Sequence, residues 1–507
     1  MTQFDTIIVG AGHNGLTCAN YLARKHQRVL VLEASDVCGG LAAPREFHAG
    51  FRAPVANHSL HIADKVISDL KLMSYGLETQ ALDLVGLSPD GQNITLKGNE
   101  VTGVSSSDSS EFHKFTQLNQ KLADMFGPFW LKTVPPIGNN SISEMMSFAQ
   151  LGLKMRLLGK EDMQEFLRVV TLPMFDYLAE FIENDRLKAL ATWDALIGTK
   201  LAPRSPNNSV LHMLYRMASN TKPSANAENF IQALEASARD QGVEIRTGSA
   251  VEKIEVAGSE SGLLVSGVVL ASGERIEAKR VVSSADPRTT FMKLVGVENL
   301  EVEFTGRVNR FRDRGLVSKL NLAVSKLPDF KGVSQPNGRM IIAPDLETIE
   351  WAFDDAKYGD VPNTPVLEVS VPSLYNQSLA PAGKHVVSVN VMYTPYAQRE
   401  NWDDTARQKL LDSCLTLLET YAPSMGESIL ASDLQTPVDL EENYGVSGGH
   451  WHHGDFALDQ LIMMRPTYGA AQYNSPINGL HLCGAGTHPA GDLTGMPGHN
   501  AAKEILS

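Results

Sequence analysis

Gly10, Gly12 and Gly15 stand in the spacing G-x-G-x-x-G, and an acidic residue, Glu33, follows 18 positions after the last of them. Residues of these types at this spacing suit recognition of a dinucleotide. Gly10 permits a tight turn, Gly12 lets the backbone approach a pyrophosphate, and Gly15 allows a helix to pack closely on a strand. The helix N-terminus presents free N–H groups and the positive end of its dipole to the phosphates. Glu33 would accept hydrogen bonds from the adenosine ribose hydroxyls, and its charge disfavours a 2′-phosphate. Past it comes the doublet Gly39-Gly40, so the run reads E-x5-G-G. A second close backbone approach to the same ligand suits a molecule as long as FAD, and domains that bind NAD alone usually lack it.

A second glycine-rich stretch lies near the C-terminus. Gly484-Ala485-Gly486-Thr487-His488-Pro489-Ala490-Gly491-Asp492-Leu493-Thr494-Gly495-Met496-Pro497-Gly498 is too dense in Gly and Pro for a packed element, which predicts a loop shaped around a ligand. A helix predicted from about His499 would turn its N-terminal dipole toward the N1 and C2 carbonyl edge of a flavin, where negative charge gathers on reduction. Gly484, Gly486, Gly495 and Met496 would shape this contact, and Asp492 would reach a ribityl or ribose hydroxyl. Trp451, Met463, Met464 and Met496 are candidates to line an apolar pocket near the flavin, with plain core packing as the alternative.

The elements that must hold these residues follow from pattern. Phe4 to Val9 and Arg28 to Leu32 are apolar, β-branched runs of the kind buried in parallel sheets, and Leu16 to Arg24 reads as a helix. A glycine motif set between strand and helix and completed by an acid is far more specific than the glycines alone. A helix over Phe230–Gln241 and strands at Val243–Arg246, Val251–Val256, Leu263–Leu270 and Arg280–Ser284 predict a small meander. Residues 66–225 read as largely helical, with loops near Pro135-Pro136 and Pro203 to Pro206; residues 291–434 mix strands with a helix around Asp404 to Tyr421. Ser105 to Ser110 reads as a polar turn or short loop. No second strand-glycine-helix-acid unit is present, so the expected electron acceptor is O2 or a quinone rather than a tightly held nicotinamide.

These motifs continue through Gly242-Val243-Glu244-Ile245-Arg246-Thr247-Gly248, Val281 to Pro287, and the run from Gly448-Gly449 to Asp459-Gln460-Leu461. Over nearly the whole chain they resemble the phytoene desaturase-like group of the amine oxidase superfamily, and especially the branch named after pyridine nucleotide-disulfide oxidoreductase domain-containing protein 2. Relatives commonly carry a Gly-Gly-Met-Gly-like turn where this chain has Asn226-Ala227-Glu228-Asn229, and glycine where Asp492 stands. The resemblance implies an α/β fold with a Rossmann-like FAD domain of the glutathione-reductase type. That domain would be assembled from residues 1–65, 226–290 and 435–507, with a mixed substrate domain from 66–225 and 291–434. It implies that Val251 lies beside the adenine through its backbone. It also supplies two catalytic candidates. His453 matches a histidine that recurs beside the flavin loop and would orient substrate or shuttle a proton, where a structural histidine is the plainer reading. Lys319 interrupts an apolar strand, as does a lysine that reaches flavin N5 through water in amine oxidases; an edge-strand lysine explains the same pattern. His450, His452 and His453 lack acidic partners at metal-ligand spacing, and no metal is expected. His48, His58 and His61 read as loop or capping residues.

Composition narrows the function classes. A net charge of −14 argues against nucleic acid as a partner. Cys18, Cys38, Cys414 and Cys483 form no C-x-x-C pair and read as buried apolar thiols, so redox chemistry must come from a cofactor. The absence of a long apolar run and of room for a leader before Phe4 makes the cytoplasm the expected compartment, with peripheral membrane contact left open. The expected activity is FAD-dependent removal of hydride from an apolar organic substrate, forming C=C. The alternatives are amine oxidation with O2 and a low-turnover FAD-binding partner protein.

Overall fold

The computed structural model describes residues 4–56, 61–135, 149, 152–206, 209–219, 221–259 and 262–507. Two large sheets organise the chain. The first, seven-stranded, begins with β1 (Phe4–Val9), which leads through the glycine turn into α1 (His13–Ala23) and on to β2 (Val29–Leu32). The predicted apolar runs are strands buried on both faces, with Ile8, Val29 and Val31 packed into one apolar cluster and Ile7, Val9, Leu30 and Leu32 into another. β1 lies between β2 and Arg275–Ser283 in parallel register, and β2 is flanked on its far side by Glu244–Arg246. Leu480–Leu482 adds a further parallel strand beside Val281–Ser283.

Arg275–Ser283 does two jobs. Its first residues pair antiparallel with Gly262–Leu270, which pairs in turn with Val251–Ser259, while its last residues pair with β1. The meander proper is Val251–Ser259, Gly262–Leu270 and Arg275–Ser283, the last strand beginning at Arg275 rather than Arg280 and running on into the parallel sheet, whereas Glu244–Arg246 pairs with β2 instead. Ile7, Val9, Leu30, Leu32 and Val281 of this sheet pack with Phe291 and Phe304 in one apolar cluster.

The second sheet has eight strands in the order Ile429–Gln435, Val317–Val324, His385–Met392, Leu367–Ser370, Arg339–Ile342, Leu84–Gly86, Ile94–Lys97 and Glu100–Thr102. Val317–Val324 is buried at every position and hydrogen-bonded on both sides. Lys319 therefore sits on an interior strand, and the edge-strand explanation is wrong. The helices Asp185–Leu196 and Ser209–Met217 pack on each other, the first of them also on Leu84–Gly86 of this sheet.

Three expectations about elements change. Ser105 to Ser110 is not a loop: Ser105 caps the helix Ser106–Ala123, its Oγ accepting from the Asp108 N–H at 3.0 Å. A hydroxyl three residues ahead of an acid is a helix-start signal, and it outweighs the polar composition. The last helix runs Met496–Leu506, starting before His499 because Gly495 takes a left-handed φ of 73° and Pro497 suits the first turn. The helix Ala227–Asp240 starts earlier than Phe230, at Asn226, whose side chain accepts from the Asn229 N–H. The helix Asp404–Tyr421 is as expected, and all four cysteines are buried and free. Part of the Pro135-Pro136 loop, and His58, fall outside the described residues.

Candidate active site and cofactor cleft

At the C-terminal ends of β1 and β2 the parallel sheet opens onto a cavity of about 310 Å³. This is where a doubly wound sheet places its ligand. Gly10, with φ 94°, has no space for a side chain: a Cβ would lie 2.5 Å from Ser284 Oγ, which donates to the Gly10 carbonyl. A Cβ on Gly15 would lie 2.2 Å from the same carbonyl, so α1 packs on the turn only because that residue is glycine. Gly12 differs. It is extended, and a Cβ there would meet nothing within 4 Å, since the space in front of it is the cavity. It caps α1 with no side chain, leaving the first-turn N–H groups for an anion.

Gly39 and Gly40 take positive φ and fold the chain back so that the Gly39 N–H donates to Ala11. The E-x5-G-G run thereby becomes a second wall of the same cleft. Glu33 is nearly buried; its Oε2 accepts from Ala11 N–H at 2.7 Å and its Oε1 from Ser35 N–H and Oγ. These bonds aim the carboxylate, and Oε2, which accepts only one of them, has a lone pair left for a hydroxyl.

Of the residues expected at the site, Gly10, Gly12, Glu33, Gly39, Gly40, Val251, Asp492 and His453 line the cavity. Gly15, Gly484, Gly486, Gly495 and Met496 do not; they shape the walls from behind. A Cβ on Gly484 would lie 2.4 Å from the Ser284 carbonyl and one on Gly486 would lie 2.6 Å from Pro287, while Met496 is fully buried. Trp451 lines the cavity, but Met463, Met464 and Met496 do not, and Met464 is 39% exposed, so the methionine part of the expected pocket is incorrect. Lys319 is also away from the lining: its Nζ donates to Asn390 Oδ1 at 2.9 Å, and burial, opposed by Glu368, pushes it down to about 7. Among the described residues no group of metal-ligating side chains forms.

Several residues that matter here carried no signal of their own. His13 and Asn14 were in view only as fillers of the glycine motif, yet both line the cavity. Burial pushes His13 down to about 3, and its Nε2, like Asn14 Oδ1 and His453 Nδ1, has no hydrogen-bond partner. Buried polar atoms left without partners around one cavity fit a ligand with many donors and acceptors, as a dinucleotide is. Arg465 is fully buried and donates to the carbonyls of His452, Gly454, Asp455, Gln460 and Ala485, tying the histidine-rich loop to the loop after Leu482. The loop places His453 at φ 54° with its N–H on the His450 carbonyl. Burial lowers His450, His452 and His453 below the ordinary imidazole range, which favours the neutral ring at each.

Asp492 is held differently from expectation. Its two carboxylate oxygens each lie 3.3 Å from Arg216 nitrogens, and Oδ1 is 3.2 Å from His452 Nε2. Burial would raise this carboxyl, but Arg216 and His452 hold it far below the usual carboxylate range.

A glycine turn, a helix N-terminus and a second glycine loop closing on one cleft define a dinucleotide-binding flavoprotein. Residues 15–499 match the family described as "Flavin containing amine oxidoreductase", and the chain belongs to that family. It is accordingly an FAD-dependent oxidoreductase acting on a small molecule. It is 30% identical to the rat (Rattus norvegicus) "Pyridine nucleotide-disulfide oxidoreductase domain-containing protein 2", over 99% of this chain and 93% of that protein. It is 25% identical to one component of the limonene dehydrogenase of Castellaniella defragrans, over 99% of this chain and 94% of that one. Among solved structures, wild-type putrescine oxidase bound to putrescine superposes with a TM-score of 0.58 at 15% identity, each chain 99% covered. At that identity the likeness concerns the fold.

Proposed function

We propose that the protein removes hydride from an apolar organic substrate, forming C=C. The observation that carries this reading is the charge state of the cavity wall. Its carboxylates among the described residues are Glu33, Asp286 and Asp492, and each is already engaged: Glu33 by Ala11 and Ser35, Asp286 by the N–H groups of Thr289 and Ser447, Asp492 by Arg216 and His452. Only Asp492 is charge-compensated, by Arg216; Glu33 and Asp286 are held by N–H and O–H donors. Arg45 on the same wall opposes an ammonium substrate, whose desolvation there would cost on the order of several kcal/mol. Burial favours the neutral ring in the histidines beside them, and Trp451, Leu41, Leu493 and Ala485 complete an apolar lining. The dehydrogenase component named above, which its name ties to limonene, supports the same direction.

In this reading Gly12, the first turn of α1 and Glu33 bind the pyrophosphate and ribose, Val251 lies by the adenine, and the cofactor supplies hydride acceptance. Residues 1–65, 226–290 and 435–507 would carry the cofactor, and 66–225 with 291–434 the substrate. Neutral His453, with Nδ1 unpartnered at the cavity wall, takes the proton from the carbon adjacent to the one that loses hydride. The electrons then pass to O2 or a quinone. Among the described residues no helix is long and apolar enough to cross a membrane, and access to an apolar substrate is proposed to come through peripheral contact.

The test is an anaerobic titration of the FAD-loaded protein with isoprenoid hydrocarbons and with primary amines, read by flavin bleaching. Bleaching by hydrocarbons alone is the expected result. Bleaching by amines, with peroxide released in air, would convert the reading to amine oxidation. Reduction by neither, together with a stable protein complex in pull-down, would make the chain a low-turnover FAD-binding partner.

A further inference from the structure

The helix Ser209–Met217 sends Arg216 across to the C-terminal glycine loop. Its Nε and Nη2 donate to the two oxygens of Asp492 at 3.3 Å each, and its Nη1 donates to the Asp194 carbonyl. Both side chains are only 12% exposed. On the other side of Asp492 stands His452. Its ring is wedged between two glycines: a Cβ on Gly198 would lie 1.9 Å from Nδ1, and one on Gly491 would lie 3.6 Å from Cδ2. Nδ1 has no hydrogen-bond partner, and Nε2 faces the carboxylate. A ring gripped in this way has one polar contact, and that contact decides where its proton resides.

Behind Arg216 the charges alternate. Asp194 pairs with Arg339 at 2.7 Å, and Arg339 with Glu368 at 2.6 Å, which also accepts from Trp193 Nε1. Arg216 is therefore tied to the Asp194 main chain, whose half-exposed carboxylate leads on to the buried Arg339–Glu368 pair of the second sheet, and swinging away from Asp492 would break that tie.

We propose that Arg216 is a positioning residue which, by sharing Asp492 with His452, keeps this imidazole neutral and Nε2-protonated on the cavity wall. The proposal rests on the FAD assignment and not on the choice of substrate. Without Arg216 the Asp492 charge is uncompensated, and its easiest relief is a proton on His452. The other charged or titratable groups facing this pair are Arg465, which donates to the His452 carbonyl, together with His13, His450, His453 and His61. Arg465 opposes protonation, and His61 is the competing proton acceptor.

The experiment is a pH titration of the visible spectrum of bound FAD in the loaded protein, from pH 5 to 9. Wild type is expected to show no transition in the range. Arg216→Met is expected to show a one-proton transition and to bind FAD about tenfold more weakly, equivalent to about 1.4 kcal/mol, while Arg216→Lys restores most of the wild-type behaviour. Adding His452→Gln to R216M should abolish the transition, whereas adding His61→Gln should not. If R216M takes up no FAD, adding Asp492→Asn removes the charge that needed compensation and should restore loading without a transition. An R216M protein that titrates like wild type would overturn the proposal. So would a transition that survives H452Q, or a double R216M/D492N variant that still fails to load.

Discussion

At the scale of single residues, the site is governed by where a methyl group can be placed. Gly12 and Gly15 belong to one motif but answer to different neighbours. Gly12→Ala adds a Cβ into open cavity in an extended backbone, so it should leave the melting temperature of the FAD-free protein unchanged while weakening FAD binding about tenfold or more, close to 1.4 kcal/mol or beyond. Gly15→Ala drives a Cβ to within 2.2 Å of the Gly10 carbonyl and should cost about 1–3 kcal/mol of stability even without cofactor. Thermal unfolding with and without FAD separates the two, and equal effects on stability would refute the assignment of Gly12 to the pyrophosphate. The motif was fully legible in the sequence, because each glycine answers to local backbone geometry. Arg216 and Arg465 were not, since their partners, Asp492 and five loop carbonyls, come from distant parts of the chain or from loops with no pattern.

At the scale of elements, the strand Val317–Val324 places a lysine where only apolar residues are comfortable. Lys319 is 1% exposed, and burial pushes it down to about 7, against about 10.4 for an exposed lysine. Between those values the unfolded chain binds more protons than the folded one, so stability at this position rises with pH across that window and is lost as pH falls from about 10.4 to about 7, staying flat below. Lys319→Met should therefore gain on wild type at pH 6 and lose that advantage toward pH 10, by about 1.4 kcal/mol for each pKa unit separating the two states. Urea unfolding at the two pH values measures it, and a pH-independent difference would show that Lys319 stays protonated in the folded protein as it does in the unfolded chain. Apolar alternation indicated the strand but not its neighbours, which is why an edge position was expected and an interior one found. Ser105 shows the opposite case, a capping signal present in sequence and outweighed in reading by the surrounding serines.

At the scale of the whole molecule, the cleft is assembled from segments far apart in sequence: the turn at Gly10–Gly12, Val251, Tyr444, His453 and Asp492 all line one cavity. A ligand that touches every segment binds the folded chain and not the unfolded one, so FAD at 100 times its dissociation constant should add about 2.7 kcal/mol to stability. Calorimetry should show one transition moving upward with FAD concentration. A split into one FAD-sensitive and one FAD-insensitive transition would mean that the two sheets unfold independently.

The sequence by itself determined the parts that depend on near neighbours: the strand, turn and helix of the dinucleotide motif, the acid that follows, and the glycine-dense C-terminal loop. Each is local, because a turn, a cap or an alternating strand is settled within a few residues by backbone sterics and burial. The tertiary structure alone decided which expected residues face the cavity. It turned Asp492 toward Arg216 and His452, took Lys319 into an interior strand, and left the methionines out of the lining. Those outcomes depend on which side chain from a remote segment arrives to compensate a buried charge, and no spacing within one segment encodes that.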